Sequence, residues 1–260
     1  MIKYKLSLVQ KICLAGLFIP LVALFQKIFA INYISVIPFV RLSFGGAALI
    51  IFSSILLGPW FGMLVGAMSD LVGFFAFDPK MFGVMPFFQI TAIYALLGFG
   101  SYYVFKLVSL LKSKKMMFAI EIISFAVILV AITLFVCLTN SITLYGVEYE
   151  FTTLHRILIP VMLFILLGLL VLIIFLINRY FTKTEADVNV YNVSFSCFIL
   201  EVVVMLIFGT IMKTWAFSST TFLAIFISQL AVLFFNVPLN TFLLSYIINL
   251  SRRFFKVENA

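Results

Sequence analysis

The amino-acid sequence predicts an all-α, polytopic helical membrane protein, and three observations lead to this fold class. Hydrophobic residues make up 65% of the 260 positions and charged residues only 10%, which is too few charges to cover a water-facing surface. Long apolar runs recur along the whole chain, and a spanning helix needs about 20 such residues. Transmembrane β-strands are shorter and alternate in polarity, so a barrel is excluded.

We expect about eight membrane-spanning helices, one in each apolar run. The runs cover residues 8–26, 43–57, 59–77, 81–105, 116–138, 156–178, 193–212 and 222–250. The second run is short, and the eighth is long and contains Pro238, so the last helix should kink or tilt. The first run follows Lys3, Lys5 and Lys11 with no small-residue cleavage site before Lys27, which predicts an uncleaved helix.

Basic residues set the expected orientation, because the cytoplasmic segments of membrane proteins collect Lys and Arg. With the N-terminus inside, most of the 17 basic residues fall on the inner side: Lys3, Lys5, Lys11, Lys106, Lys112, Lys114, Lys115, Arg179, Lys183, Arg252, Arg253 and Lys256. The outer side holds Lys27, Arg41, Lys80, Arg156 and Lys213. This asymmetry predicts cytoplasmic termini. The spread of these residues over several segments also argues against a nucleic-acid partner, despite a net charge of +8.

Few residues occur in patterns that support catalysis or metal binding. His155 is the single histidine, and the sequence has no nucleophile elbow, no H-E-x-x-H motif and no phosphate-binding loop. Cys13, Cys137 and Cys197 lie in separate apolar runs, so we expect no disulfide, no metal and no other cofactor. The pair His155–Arg156 lies at an outer helix end, where an interfacial anchor is common. A transporter, channel, receptor or scaffold is therefore favoured over an enzyme.

The most informative stretch is residues 34–105. Gly58, Gly62, Gly66 and Asp70 recur every four residues, which places them on one narrow helix face. Small residues on such a face allow a neighbouring helix to approach closely, and packing within the chain is the favoured reading. Asp70 lies deep in a span, where a charge costs about 2.5–3.5 kcal/mol and needs a partner. Ligand contact, an ion pair with Arg41 and a structural hydrogen bond all stay open.

Arg41 leads from an aromatic and aliphatic outer loop directly into a span. An arginine at such a position is either an interface anchor or a fork for a carboxylate in an outward-facing pocket. Its position alone favours neither. Glu121 and Glu201 lie near predicted span ends, and whether they are more than interfacial charges also stays open.

The order of several short motifs in this stretch resembles the substrate-binding S components of energy-coupling factor (ECF) vitamin transporters, closest to the folate-type branch. The motifs are Arg41-Leu42-Ser43-Phe44-Gly45, then Leu57-Gly58-Pro59, then Gly62, then Gly66-Ala67-Met68-Ser69-Asp70-Leu71-Val72-Gly73, then Pro86-Phe87-Phe88-Gln89-Ile90-Thr91-Ala92. The resemblance fades after residue 105 and returns weakly over 193–253.

The chain departs from that family in three places. The family is a six-helix bundle, so we expect residues 1–115 and 187–260 to form that bundle and 116–186 to be an inserted helical pair within one membrane domain. The family's F-P-T-G loop becomes Phe77-Asp78-Pro79-Lys80, and Phe87 replaces a glycine. The small-residue docking face of the first helix is also altered, because Ala15 and Gly16 are followed four residues later by Ile19 and Pro20.

The resemblance implies a subunit that binds a vitamin from outside and moves it with a transmembrane T component and two ATPases, in a bacterial cell membrane. It implies a substrate pocket containing Phe39, Arg41, Phe88, Gln89, Thr91, Lys213 and Trp215, although Phe88 and Trp215 also suit lipid-facing packing. It implies helix packing or docking through Ala15, Gly16, Gly58, Gly62, Gly66 and Asp70. Folate is expected ahead of riboflavin, thiamine, pantothenate or a nucleobase-like compound.

Two other hypotheses remain at this point. The first is a non-transport membrane scaffold of cell-envelope assembly that shares the fold, since fold alone does not give function. The second is a membrane enzyme acting on lipid, which needs a polar cluster at one interface that the sequence does not offer.

Overall fold

The computed structural model describes residues 3–4, 6–31, 42–43, 45–77, 87–111, 113–144, 147–183, 189–217, 220–254 and 257–258. Within these residues the chain is a bundle of helices with a few very short strands. Seven of the helices are long and apolar enough to cross a membrane. The predicted all-α, polytopic membrane fold is confirmed.

The described residues form eight helices, one in each predicted apolar run. They are α1 (Leu8–Lys27), α2 (Gly46–Leu57), α3 (Pro59–Phe77), α4 (Phe88–Leu110), α5 (Lys114–Leu138), α6 (Thr153–Lys183), α7 (Val190–Ala216) and α8 (Phe222–Phe254). The first begins with a capping box, in which the Ser7 hydroxyl accepts from the Gln10 backbone N–H and the Gln10 side chain accepts from the Ser7 backbone N–H.

Within the described part of the chain, three short antiparallel ladders join segments next to helix ends. Strand β1 (Lys3–Tyr4) pairs with β6 (Val257–Glu258), β2 (Ala30–Ile31) with β3 (Leu42–Ser43), and β4 (Ser141–Leu144) with β5 (Val147–Glu150). The third ladder is a hairpin between α5 and α6. The first brings residues near both ends of the chain to the same side of the bundle.

Helix α2 differs from the expected second span. Its 12 residues give a length of about 18 Å, well short of the roughly 30 Å hydrocarbon core. Gly58 ends it with a φ of +99° that favours glycine, and Pro59 then begins α3 directly. All 12 residues are buried because α1, α3, α4 and α8 surround the helix. The eight predicted apolar runs thus contain seven long helices and this short internal one.

The predicted inserted pair, α5 and α6, packs on one side of the bundle. Its described contacts are with each other, with α7 and with α8. The outward faces of both helices carry exposed apolar side chains such as Val127, Leu134 and Phe164, as suits a surface that faces lipid. Helix α1 lies elsewhere, against α2 and α3, so the inserted pair leaves the α1 side of the bundle uncovered.

Candidate functional site

Helices α3 and α4 pack so closely that backbone meets backbone. A Cβ added to Gly66 would overlap the carbonyl group of Tyr94, and one added to Gly98 would overlap the Gly62 carbonyl and lie 2.9 Å from the Met63 nitrogen. Gly62 also has no space for a side chain, since a Cβ added there would lie 2.8 Å from the Gly98 oxygen. The glycine stripe therefore serves packing within the chain, which is the favoured reading of its spacing.

Asp70 continues this interface with a polar contact. Its Oδ2 atom accepts a hydrogen bond of 2.7 Å from the Thr91 hydroxyl, and the two side chains are only 9% and 8% exposed. Both residues lie in the motifs that carry the family resemblance. Because the antiparallel register pairs Gly62 with Gly98 and Gly66 with Tyr94, it brings Asp70 to Thr91 one turn further along.

The ends of α1 and α3 lie beside this contact. A Cβ on Gly73, three residues after Asp70, would meet the Lys27 side chain at 3.1 Å and the Ala23 Cβ at 3.8 Å. The aliphatic stem of Lys27 thus lies against α3 at Gly73, one turn after Asp70. A basic residue and a buried carboxyl group therefore lie near the same end of α3.

The start of α4 also meets the end of α7. The rings of Phe87 and Phe217 lie 5.0 Å apart, and a Cβ on Gly209 would lie 3.9 Å from the Ile93 side chain. These contacts set an antiparallel register that places Lys213 level with the first turn of α4, where Gln89 and Thr91 lie. Two predicted pocket segments, which are far apart in sequence, are therefore neighbours.

The predicted pocket residues have different environments. Thr91 is buried, Gln89 and Lys213 are half-buried, and Phe88 and Trp215 are 62% and 71% exposed at the bundle surface. The exposed pair matches the lipid-facing alternative. Phe39 and Arg41 lie outside the described residues, as does the Asp78–Lys80 segment. The structure thus joins Thr91 to Asp70 and places Lys213 level with the first turn of α4, which also contains Gln89.

The predicted packing and docking residues also separate into two groups. Gly62, Gly66 and Asp70 are buried in the bundle, and so is Ala15 on α1. Gly16 is exposed, and nothing lies within 4 Å of a Cβ placed there. Gly58 turns the chain between α2 and α3. The two small residues of α1 therefore face opposite ways, with Ala15 inward and Gly16 outward.

Two carboxyl groups that the sequence left unassigned lie inside the bundle. Glu121 on α5 is 1% exposed and accepts a hydrogen bond of 2.6 Å from the Ser194 hydroxyl of α7. This contact ties the inserted pair to the rest of the bundle. Charged residues inside membrane helices are costly, so they face the protein interior and mark functional or structural sites.

Glu201 lies near the middle of α7 and is also 1% exposed. Its two oxygens accept from the side-chain amides of Asn236 at 3.4 Å and Asn240 at 2.9 Å, both on α8. These two amide donors offset part of the cost of burying the carboxyl group.

Glu201 also begins an unusual backbone segment. Residues Glu201–Phe208 of α7 form a π-helix, which is rare and often found where a helix serves a function. Cys197, one turn earlier, is fully buried. The sequence gives little indication of these buried contacts of Glu121 and Glu201. Each carboxyl group occurs singly in an apolar run, and its hydrogen-bond partners come from helices that are distant in the sequence.

A lateral groove of about 190 Å³ lies between α6 and α8. Its lining is apolar apart from Asn236, the residue that donates to Glu201. The other lining residues are Leu166, Leu169, Ile173, Phe234, Phe235, Pro238 and Leu239. Among the described residues, no group of three or more His, Cys, Asp or Glu side chains could hold a metal ion.

Comparisons with known proteins identify no relative of this chain. No family model, no curated protein and no solved structure matches it. The fold itself defines the class, which is a multi-pass helical membrane protein with polar groups inside its bundle.

Proposed function

We propose that the chain is the substrate-binding membrane subunit (S component) of an ECF-type ABC importer, with folate or a related heteroaromatic vitamin as its substrate. The Asp70–Thr91 hydrogen bond within the glycine-packed α3–α4 interface carries the proposal. The motifs that resemble the family are spread over residues 41–92, and this interface gives a physical reason for their spacing. Small residues allow the close approach, and the register then brings the acid to the threonine.

The polar groups at this end of the bundle suit the binding of a small polar substrate. Gln89 and Thr91 lie in the first turn of α4, and Lys213 lies level with that turn on α7, near the aromatic contact between Phe87 and Phe217. Aromatic walls favour a flat heteroaromatic ring, and a few placed polar groups fix its orientation. In this proposal Lys213 attracts a carboxylate of the substrate. Arg41, from the predicted outer loop before the second apolar run, does so as well.

The partners follow from the same proposal. The sequence has no phosphate-binding loop, so two ATPase subunits supply the energy and a T component couples them to this chain. The α1 side, which the inserted pair leaves uncovered, offers a face for the T component. The basic residues of the inner segments support cytoplasmic termini in a bacterial cell membrane, and the β1–β6 ladder agrees with termini on a common side.

The decisive experiment is mass spectrometry of small molecules that copurify with the detergent-solubilised chain, followed by titration of the best candidate. We expect a stoichiometric pterin, flavin or related vitamin. Lys213→Met should weaken its binding, while Lys106→Met, a matched change at a lysine near the other end of α4, should not. An empty protein that binds nothing from a vitamin panel would contradict the proposal. It would favour an envelope scaffold, which should instead capture envelope proteins and no ATPases.

A further inference from the structure

The first turn of α2 is an uncapped helix end inside the protein. Its first backbone bond runs from the Leu49 N–H to the Gly45 oxygen at 3.1 Å, and the N-cap residue, Gly45, has no side chain that could cap the helix. The N–H groups of Gly46, Ala47 and Ala48 have no acceptor within the described part of the chain. All three residues are buried. A buried helix start with unsatisfied donors normally has a partner.

A second donor points at the same place from α1. Gln26 is 5% exposed, and its Nε2 atom is buried with no hydrogen-bond partner among the described residues. A Cβ on Gly46 would overlap the Gln26 side chain and lie 3.5 Å from that Nε2 atom. An unpaired side-chain amide of α1 therefore lies beside the first residue of α2. A buried amide N–H without an acceptor is unfavourable, so an acceptor from outside the described residues is expected.

The backbone at this point also has the shape of an anion site. Gly45 adopts a left-handed conformation with φ +77° and is followed by helical residues, which turns successive N–H groups toward one point. The positive end of the α2 dipole lies there as well. Phe25 and Leu243 pack against Gly45, with atoms 3.2 and 3.1 Å from a Cβ placed on it. Such apolar walls strengthen hydrogen bonds to a charged group.

We propose that this α2 corner, formed by Gly45–Ala48 and the Gln26 amide, binds the carboxylate of a ligand. The corner offers N–H donors, and a carboxylate has two oxygens that accept only. One oxygen takes the Gln26 amide N–H and the other takes the first N–H groups of α2. The identification of that carboxylate as part of the transported substrate rests on the proposed function, whereas the anion site itself does not.

Gln26→Leu tests the corner, because it removes the donor and keeps the approximate size of the side chain. Replacing an unsatisfied buried amide with an apolar group removes a desolvation cost, so the ligand-free variant should fold with an equal or higher melting temperature. Gln26→Glu keeps the shape more closely and adds an acceptor that repels a carboxylate. Both variants are compared with the unmodified full-length chain in the same detergent.

The first measurement titrates folate against its dimethyl ester, which has the same rings and masked carboxylates. The unmodified chain should bind folate at least tenfold more tightly than the ester. Gln26→Leu should abolish that difference and leave the ester affinity unchanged. Equal binding of both compounds by the unmodified chain would overturn the corner while leaving the proposed transporter function intact.

The second measurement does not depend on the transporter proposal. Benzoate should raise the melting temperature of the unmodified chain more than benzamide, its neutral analogue of the same shape. Gln26→Leu and Gln26→Glu should both remove the difference. If neither folate compound binds but benzoate stabilises in this way, the folate proposal fails and the anion site stands. If benzoate and benzamide act alike, the site is refuted.

Discussion

Replacing Gly98 with alanine tests the backbone contact between α3 and α4 most directly. The new Cβ would overlap the Gly62 carbonyl and lie 2.9 Å from the Met63 nitrogen, whereas real Cβ atoms essentially never approach below 3.0 Å. Both obstacles are backbone atoms, so no side chain can rotate away. The helices must separate by about 1 Å to restore ordinary contact distances, which weakens dispersion along the whole interface.

We expect this change to cost about 3 kcal/mol, at the upper end of the range for overpacking. Part of the loss comes from the Asp70–Thr91 hydrogen bond, which spans the same two helices at 2.7 Å. The matched control is Gly100→Ala, two residues along α4, where nothing lies within 4 Å of the new Cβ. That change should be neutral or gain up to about 1 kcal/mol from helix propensity.

The assay is unfolding of the purified chain by titration with a denaturing detergent, with helix content as the signal. The two alanine variants should separate by several kcal/mol in free energy of unfolding. If Gly98→Ala unfolds at the same midpoint as Gly100→Ala, α3 and α4 do not meet through their backbones. Close backbone packing would then not account for the spacing of the glycines.

Four further variants, at three residues, test the polar groups. Thr91→Val should cost about 1.5–3 kcal/mol in the same unfolding assay, because it leaves the Asp70 carboxyl without its donor hydroxyl; an unchanged midpoint would show that this bond is not formed. Glu121→Gln should be neutral or stabilising because it keeps an acceptor for Ser194 without a charge, whereas Glu121→Ala should cost at least about 2 kcal/mol; equal midpoints for the two variants would contradict that reasoning. Arg41→Ala should weaken vitamin binding at least tenfold in a titration, and unchanged affinity would remove this residue from the pocket.

Periodicity and composition are enough to predict the helices. Each apolar run contains a helix, because about 20 consecutive apolar residues have no stable alternative in a membrane. The exception is the second run. Its length alone does not show that α2 is a short internal helix, since that depends on Gly58 and Pro59 turning the chain and on four neighbouring helices covering it.

The site is partly predictable from the sequence. The four-residue spacing of Gly62, Gly66 and Asp70 predicts a close helix contact, and the structure has one. The partner of Asp70 is not predictable, because it is set by the register of α3 against α4 and no local pattern encodes that register. The family resemblance implies that Thr91 is a pocket residue, and its hydrogen bond to Asp70 adds a contact between α3 and α4.

The contacts of the internal carboxyl groups are likewise not predictable from the sequence. Glu121 and Glu201 are single acids in apolar runs, and their depth depends on where each helix lies against α7 and α8. The hydroxyl of Ser194 and the amides of Asn236 and Asn240 become partners only through tertiary packing. A lone carboxyl deep in an apolar run is nevertheless a useful signal, since it requires such a partner.

The π-helical segment of α7 has a consequence for insertions and deletions. In an ordinary α-helix, removing one residue rotates everything that follows and turns inward-facing side chains outward. The wider turns of residues Glu201–Phe208 already hold more residues than an α-helix of the same length. Loss of one residue there lets the segment relax to α-helical geometry, while Gly209 and Lys213 stay on the same side of the helix as before. This part of α7 is therefore a place where the chain length of a spanning helix can change without disrupting the bundle.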